Sequence, residues 1–178
     1  MAFFNLAEGE KIVWEAKPLS GLKWFLFATH ILGWIIIFLF FGVYLLVPLL
    51  LNGLTAIAAG FLGIILGLLV VSYITAWLQY SKEYYWITNR RLVHKHGFVG
   101  YAVNSIPLER VSDVIISRSF VETIFGIASI HIQSLAGQAS YGRFGAEGKY
   151  RAVPNPEELQ QLIFKLIKEN RQTEHLGI

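Results

Sequence analysis

Between Lys23 and Lys82 the chain carries no Asp, Glu, Lys or Arg: 58 consecutive residues, Trp24 to Ser81, hold no formal charge. A helix needs only about 20 apolar residues to cross the hydrocarbon core of a bilayer, so a run of this length holds two crossings. It divides at Leu51-Asn52-Gly53-Leu54, a turn-forming pair with Pro48 just upstream. Two helices joined by so short a turn form an antiparallel hairpin. Neither half shows amphipathic spacing, as expected where lipid and the other helix surround each one. The first half is too long for a cleaved signal peptide, whose apolar centre is about 7–15 residues. Trp24, Trp77, Tyr80, Tyr84 and Tyr85 sit around the charged ends, where amphipathic rings favour the headgroup layer.

Composition agrees. A chain of 178 residues that is 54% hydrophobic and 15% charged, with mean hydropathy +0.51, is too apolar for an ordinary soluble protein. An aromatic content of 15% argues equally against general disorder. Zero Cys removes disulfides, thiolate nucleophiles and sulfur-based zinc sites. Asp113 is the only Asp, which removes aspartate pairs and Asp-rich calcium loops. All 15 Lys and Arg lie outside the hairpin, so the positive-inside rule puts both termini in the cytoplasm. The expected organisation is a juxtamembrane segment (1–23), a two-span hairpin (24–81, turn near 52–53) and a cytoplasmic domain (82–178).

Within the second span, Ala59, Gly63 and Gly67 recur every four residues, and Ala56 with Gly60 repeats the spacing. Such rows let helix backbones approach closely, first against the other span of the hairpin and alternatively against a second chain. His30 is the one ionisable side chain in the run; seven residues past Lys23, it is placed to reach the interface.

Past Lys82 the pattern changes to short segments of period two. Strands are expected at Tyr84–Thr88, Arg91–His96 (closed by Gly97), Tyr101–Ile106, Val111–Ser117, Ile127–Ser134 and Lys149–Val153. In the fifth, Ala128, Ile130 and Ile132 share one face, while Ser129, His131 and Gln133 share the solvated one. A helix follows from about 156 to 170, with Asn155 as N-cap, Pro156 first and Glu158 reaching back to the cap. Its Leu159, Leu162, Ile163 and Leu166 form one apolar stripe, which needs a sheet to cover.

These residues carry a resemblance. Trp86-Ile87-Thr88-Asn89-Arg90-Arg91-Leu92-Val93, then Gly97, Ile106-Pro107-Leu108-Glu109-Arg110-Val111-Ser112-Asp113-Val114, Phe125-Gly126, Ser134-Leu135-Ala136-Gly137 and Pro154-Asn155-Pro156-Glu157-Glu158-Leu159 resemble, in order and spacing, the bacterial pleckstrin-homology-like domain family of membrane-flanked domains. Gly9–Pro18 ahead of a two-span hairpin is similar to its small membrane proteins. The resemblance implies a bent antiparallel sheet of about seven strands capped by a C-terminal helix, on the cytoplasmic face. It implies no catalytic residues, and the fold hosts lipid, peptide and protein binding alike.

No catalytic constellation emerges. Gly142–Lys149 lacks the Gly and hydroxyl placements of a phosphate loop, because Arg143 and Tyr150 occupy them. His94 and His96 alternate on a strand and share a face, which fits a solvated strand better than a two-histidine metal site. No Gly-x-Ser-x-Gly elbow is present. Residues 82–178 hold 12 Lys and Arg against 9 Asp and Glu, a net of +3, too sparse for a nucleic-acid stripe. The cluster Lys82, Arg90, Arg91 and Lys95 is the candidate contact for anionic lipid, unless Arg90 and Arg91 pair with Glu83 and Glu109. The expectation is a cofactor-free, metal-free, non-enzymatic PH-like module in the cytoplasmic membrane. Its partners are the bilayer and its own copies or another membrane protein; the alternative is an anionic-lipid sensor or envelope-stress accessory.

Overall fold

The structure, a computed structural model, describes residues 4–53, 55–134 and 146–176. Strand β1 (Ile12–Ala16) comes first, followed by helices α1 (Gly21–Leu51) and α2 (Thr55–Lys82). Then come β2 (Tyr84–Thr88), β3 (Arg91–His96), β4 (Ala102–Pro107), a 3-10 turn (Leu108–Arg110) and β5 (Val111–Ser117). A short helix α3 (Phe120–Ile124), β6 (Ser129–Ser134), β7 (Ala146–Tyr150) and α4 (Pro156–Leu176) complete the chain.

The strands form two antiparallel sheets, ordered β1-β2-β3-β4 and β5-β6-β7. Their inner faces meet in one core, where Tyr85, Ile87 and Leu92 of the first sheet pack with Val114, Ile130, Ile132 and Tyr150 of the second. Helix α4 covers that core with Leu159, Ile163, Leu166 and Ile167, and Leu162 packs half-buried beside them. Each such side chain contributes about 1.5–3 kcal/mol on burial, which fixes the helix far more firmly than its propensity does. The fold is PH-like: antiparallel sheets with a C-terminal helix.

Residues upstream of the helices belong to this domain. β1 pairs with β2 from Ile12↔Thr88 to Ala16↔Tyr85, so the 1–23 segment supplies an edge strand as well as a lead into α1. The pairing is locked at its outer end. Glu10, with its side chain 1% exposed, receives Arg91 Nε at 2.8 Å and Nη2 at 2.9 Å, the Thr88 hydroxyl at 2.8 Å and the Ala7 N–H at 2.8 Å. Asn89 adds a second clasp, accepting from the Lys11 N–H and donating to the Gly9 carbonyl. α1 and α2 meet at the expected turn, where the Asn52 side chain and N–H both reach the Pro48 carbonyl and Gly53 takes a φ of +71°.

Three local expectations are corrected. The last strand spans Ala146–Tyr150 rather than Lys149–Val153, because Ala152 turns into the left-handed region (φ +50°) and Val153 donates to Ala128 instead of a ladder partner. Ser129 is fully buried rather than solvated, because α3 folds beneath the start of β6 and Glu122 accepts its hydroxyl. Asn155 does precede Pro156 at the start of α4, with its carbonyl accepting the Leu159 N–H and its amide donating to Glu158 at 3.1 Å, but its φ of +47° lies outside the extended geometry expected of an N-cap. Leu54 and Gly142–Gly145 lie outside the described residues.

The Arg91 guanidinium foremost holds the Glu10 carboxyl down at about 2, against 4.5 for a free one. A carboxyl depressed by folding stabilises the fold fully above pH 4.5 and loses that contribution as pH falls toward 2. A shift of this size corresponds to roughly 3 kcal/mol. Glu10→Gln is expected to lower the unfolding temperature at pH 7 and to flatten the decline between pH 4.5 and 2, read by thermal denaturation of the solubilised protein across that range.

Candidate functional site

The domain has two poles, set by strand direction. β1 ends, and β2 begins, where the helices attach; antiparallel alternation brings the β3–β4 connection, the β5–β6 connection with α3, and the β7–α4 connection to the same pole. The β2–β3 turn and the start of β5 lie at the opposite, outer pole.

At the attached pole the helices are rooted in the domain. Leu22 and Leu26 of α1 and Ala76 of α2 are buried against Ile127 and Ala152, with Phe25, Phe27, Tyr80 and Phe125 packed around them. The Leu19 N–H donates to the Ala152 carbonyl at 2.8 Å. Gly21 sits so close that a Cβ there would lie 2.7 Å from Ile127 Cγ2 and 2.8 Å from the Phe125 carbonyl oxygen. A side chain flexes but that backbone oxygen does not. Gly21→Ala is therefore expected to shift the root and cost on the order of 1–3 kcal/mol, measured as a drop in thermal stability that Gly33→Ala, in open space, does not cause.

Immediately after α2, Glu83 is buried to 1% and its carboxylate is gripped from three sides. Arg151 approaches through Nε at 3.0 Å and Nη2 at 2.8 Å, the Tyr85 hydroxyl donates at 2.7 Å, and His94 Nε2 stands 3.3 Å away. The Arg151 N–H donates to the same Tyr85 oxygen, and the single phenolic proton has two acceptors in reach, the Glu83 carboxylate at 2.7 Å and the Arg151 carbonyl at 2.9 Å. Burial pushes the Glu83 pKa up, but His94, Arg151 and Tyr85 more than offset it and hold the group below the usual carboxylate range. Burial and the Glu83 charge push the Tyr85 phenol up. This network ties the strand leaving the hairpin to the β7–α4 connection. Arg151→Met leaves a buried carboxylate unpaired and is expected to cost about 3–5 kcal/mol in thermal stability, part of which Glu83→Gln in the same chain restores.

His94 and His96 face inward beside this network, not outward to solvent, because His94 lies opposite Tyr85 in the ladder. Their rings are 4.8 Å apart, and burial with the neighbouring His94 draws the His96 pKa down. Among the described residues no group of three His, Cys, Asp or Glu side chains is placed to hold a metal. The Nδ1 of His30, inside α1, is shielded and has no hydrogen-bond partner among the described residues.

The four cations singled out in the sequence do not form one patch. Lys82 and Lys95 lie at the attached pole, whereas Arg90 and Arg91 lie at the outer pole, roughly 13 Å along β3 from Lys95 at about 3.3 Å per residue. Arg91 is engaged with Glu10, and Glu83 takes Arg151 as its partner rather than Arg90 or Arg91. Arg90 is exposed. Lys95 is buried on the outer face of the first sheet, its ammonium 4.6 Å from the Tyr101 ring centre and 5.7 Å from that of Tyr84. Desolvation foremost, then Lys82, lowers its pKa. Sequence reasoning missed Lys17, whose ammonium caps the other side of the stripe 4.7 Å from Tyr84; Tyr84 in turn stacks on Trp86. No spacing in the sequence links residue 17 to 84; only the β1–β2 register does.

The helices meet through large residues. Trp34 donates to Ser72 at 3.1 Å, and Phe38 lies edge-on to Phe61. Among the described residues the small side chains do not lie in that seam: Ala59 is exposed, and a Cβ at Gly60, Gly63 or Gly67 would meet no described atom within 4 Å. Ala56 belongs to α2, in the same row. Both helices are long and apolar enough to cross a membrane, over Gly21–Leu39 and Ala59–Lys82, with 11% of each stretch buried inside the protein.

With this architecture in place, the comparison with known families is specific. The sequence model described as Bacterial PH domain matches residues 22–167, and the chain belongs to that family. The match runs from the first turn of α1 into α4 and leaves β1 outside it. No curated protein and no solved structure matches the chain. PH-like domains generally serve as binding or scaffold modules and are generally non-catalytic.

Proposed function

We infer that this protein is a membrane-anchored PH-like scaffold of the cytoplasmic face, in which α1 and α2 span the bilayer and the β domain presents itself for assembly with its own copies or with other membrane proteins. The observation that carries the reading is the pairing of β1 with β2 across the helices. Strands that share a ladder lie on one side of a membrane, so the segment between them crosses an even number of times. Two long helices with exposed apolar surfaces meet that requirement, and the Lys and Arg distribution supports a cytoplasmic location for the paired side.

Self-association is supported by the open Ala59-Gly63-Gly67 row on α2, which the hairpin's own packing leaves uncovered. The basic residues favour lipid as a companion rather than a specific headgroup pocket, since the cations are divided between two poles.

The absence of Cys makes the topology directly testable. In intact cells Asn52→Cys is expected to react with a membrane-impermeant maleimide, and Glu157→Cys only after permeabilisation; the reverse pattern, or equal labelling of both, removes the reading. For assembly, chain counting in native-membrane discs is expected to give a discrete homo-oligomer that Gly63→Ile with Gly67→Ile reduces to single chains. A wild-type monomer ends the self-assembly proposal while leaving the anchor intact.

A further inference from the structure

Among the described residues outside α1 and α2, the most exposed large apolar side chains are Val99 (82%), Phe120 (81%), Ile124 (64%) and Tyr101 (60%). They come from two connections in different sheets, β3–β4 and β5–β6, and antiparallel alternation puts both at the pole where the helices are rooted. Both connections have inverted polarity. The β3–β4 turn is Gly97-Phe98-Val99-Gly100, pinched so that a Cβ on Gly97 would lie 2.7 Å from Tyr101 Cα; positions that turns ordinarily fill with polar residues hold Phe and Val. In α3 the capping box draws Glu122 inward, 5% exposed and bonded to Ser119 and Ser129, which turns Phe120 and Ile124 outward as an i, i+4 pair. A helix with its carboxylate inside and its Phe and Ile outside is built for a non-aqueous neighbour.

The level of this apolar rim relative to the helices identifies the neighbour. The 31-residue α1 is roughly 46 Å long at about 1.5 Å per residue, against about 30 Å for a hydrocarbon core. Its first two turns, with Leu22 and Leu26, are used in the root against Ile127 and Ala152. Apolar surface free for lipid therefore begins at the underside of the domain, the level of the two connections. A cation stands at the same pole: Lys82 closes α2. Apolar tips flanked by Lys match the layered chemistry of an anionic leaflet.

We propose that the β3–β4 turn and α3 form a rim that seats in the headgroup–acyl boundary of the leaflet from which α1 and α2 emerge, inserting Val99, Phe120 and Ile124 and holding Lys82 against anionic headgroups. This rests on the membrane-anchored reading and adds a fixed orientation to it. The domain stands with the attached pole on the lipid and the outer pole, with the Glu10–Arg91 clasp, toward the cytoplasm.

The test uses the full chain with single cysteines carrying an environment-sensitive fluorophore at Val99→Cys, Phe120→Cys, Ile64→Cys in mid-α2 and Phe164→Cys on α4, each reconstituted into phosphatidylcholine–phosphatidylglycerol vesicles. Nitroxide lipids labelled near the headgroup serve as quenchers, with a second set labelled deep in the chain. The rim predicts blue-shifted emission and loss of intensity to the shallow quencher at 99 and 120, loss to the deep quencher at 64, and neither at 164. If 64 is quenched while 99 and 120 behave like 164, the anchor stands and the rim is overturned. A blue shift at 99 and 120 without lipid quenching, abolished when vesicles hold single chains, assigns the surface to a second copy and overturns the rim. No quenching at 64 removes the anchor and the rim together.

Discussion

One ladder, β1 on β2, holds the rest of this structure in place. It joins residues on either side of a long helical insertion, and its far end is sealed by the Glu10–Arg91–Thr88 clasp. Because the two strands are neighbours, α1 and α2 leave and rejoin the domain side by side, and the hairpin cannot splay without tearing an edge strand from the sheet. The root beneath Leu22, Leu26 and Ala76 then fixes the angle at which the helices depart. A PH-like sheet and a helical hairpin are thereby one body, with the hairpin occupying the first strand connection.

Three buried acids serve three separate fastenings. Glu10 secures β1, Glu83 secures the exit from α2 to the β7–α4 connection, and Glu122 closes α3 under β6. In each case burial alone raises the carboxyl pKa, and directed partners reverse the effect: the Arg91 guanidinium for Glu10, His94 ahead of Arg151 and Tyr85 for Glu83, and hydroxyl and N–H groups for Glu122. Buried ion pairs of this kind contribute less net stability than their Coulomb attraction suggests, yet removing one partner is costly. They therefore favour one arrangement of the chain over its alternatives more than they deepen the fold.

Much of the architecture was legible in the residues. The uncharged run and its Asn52-Gly53 turn gave the helices, period-two segments gave five strands nearly to the residue, and the Pro156 start with its apolar stripe gave α4. What escaped was whatever depended on register between distant segments. β1 carries alternation too short to distinguish a strand from a linker, so its membership in the sheet became visible only through Ala16↔Tyr85. Parity points Ser129 outward, because nothing in the local pattern shows that α3 tucks beneath it. The basic cluster suffered the same way: Arg91 and Lys95 are close in sequence, but a strand carries them to opposite poles. The glycine row on α2 was legible as a row, while the face it occupies was set by Trp34, Phe38 and Phe61, whose bulk claims the seam.

The insertion of the hairpin between two paired strands has a consequence for biogenesis. β1 is synthesised first, and its ladder partner begins only after both helices have been made. Closing a chain loop of that length costs conformational entropy when the intervening residues are slack. A hairpin already folded, in lipid on the membrane-anchored reading, removes most of that cost, because its two ends lie about one interhelical distance apart, some 8–10 Å. On the membrane-anchored reading the helices act as a template for the β domain: sheet closure follows pairing of α1 with α2, and until then β2 keeps an open edge.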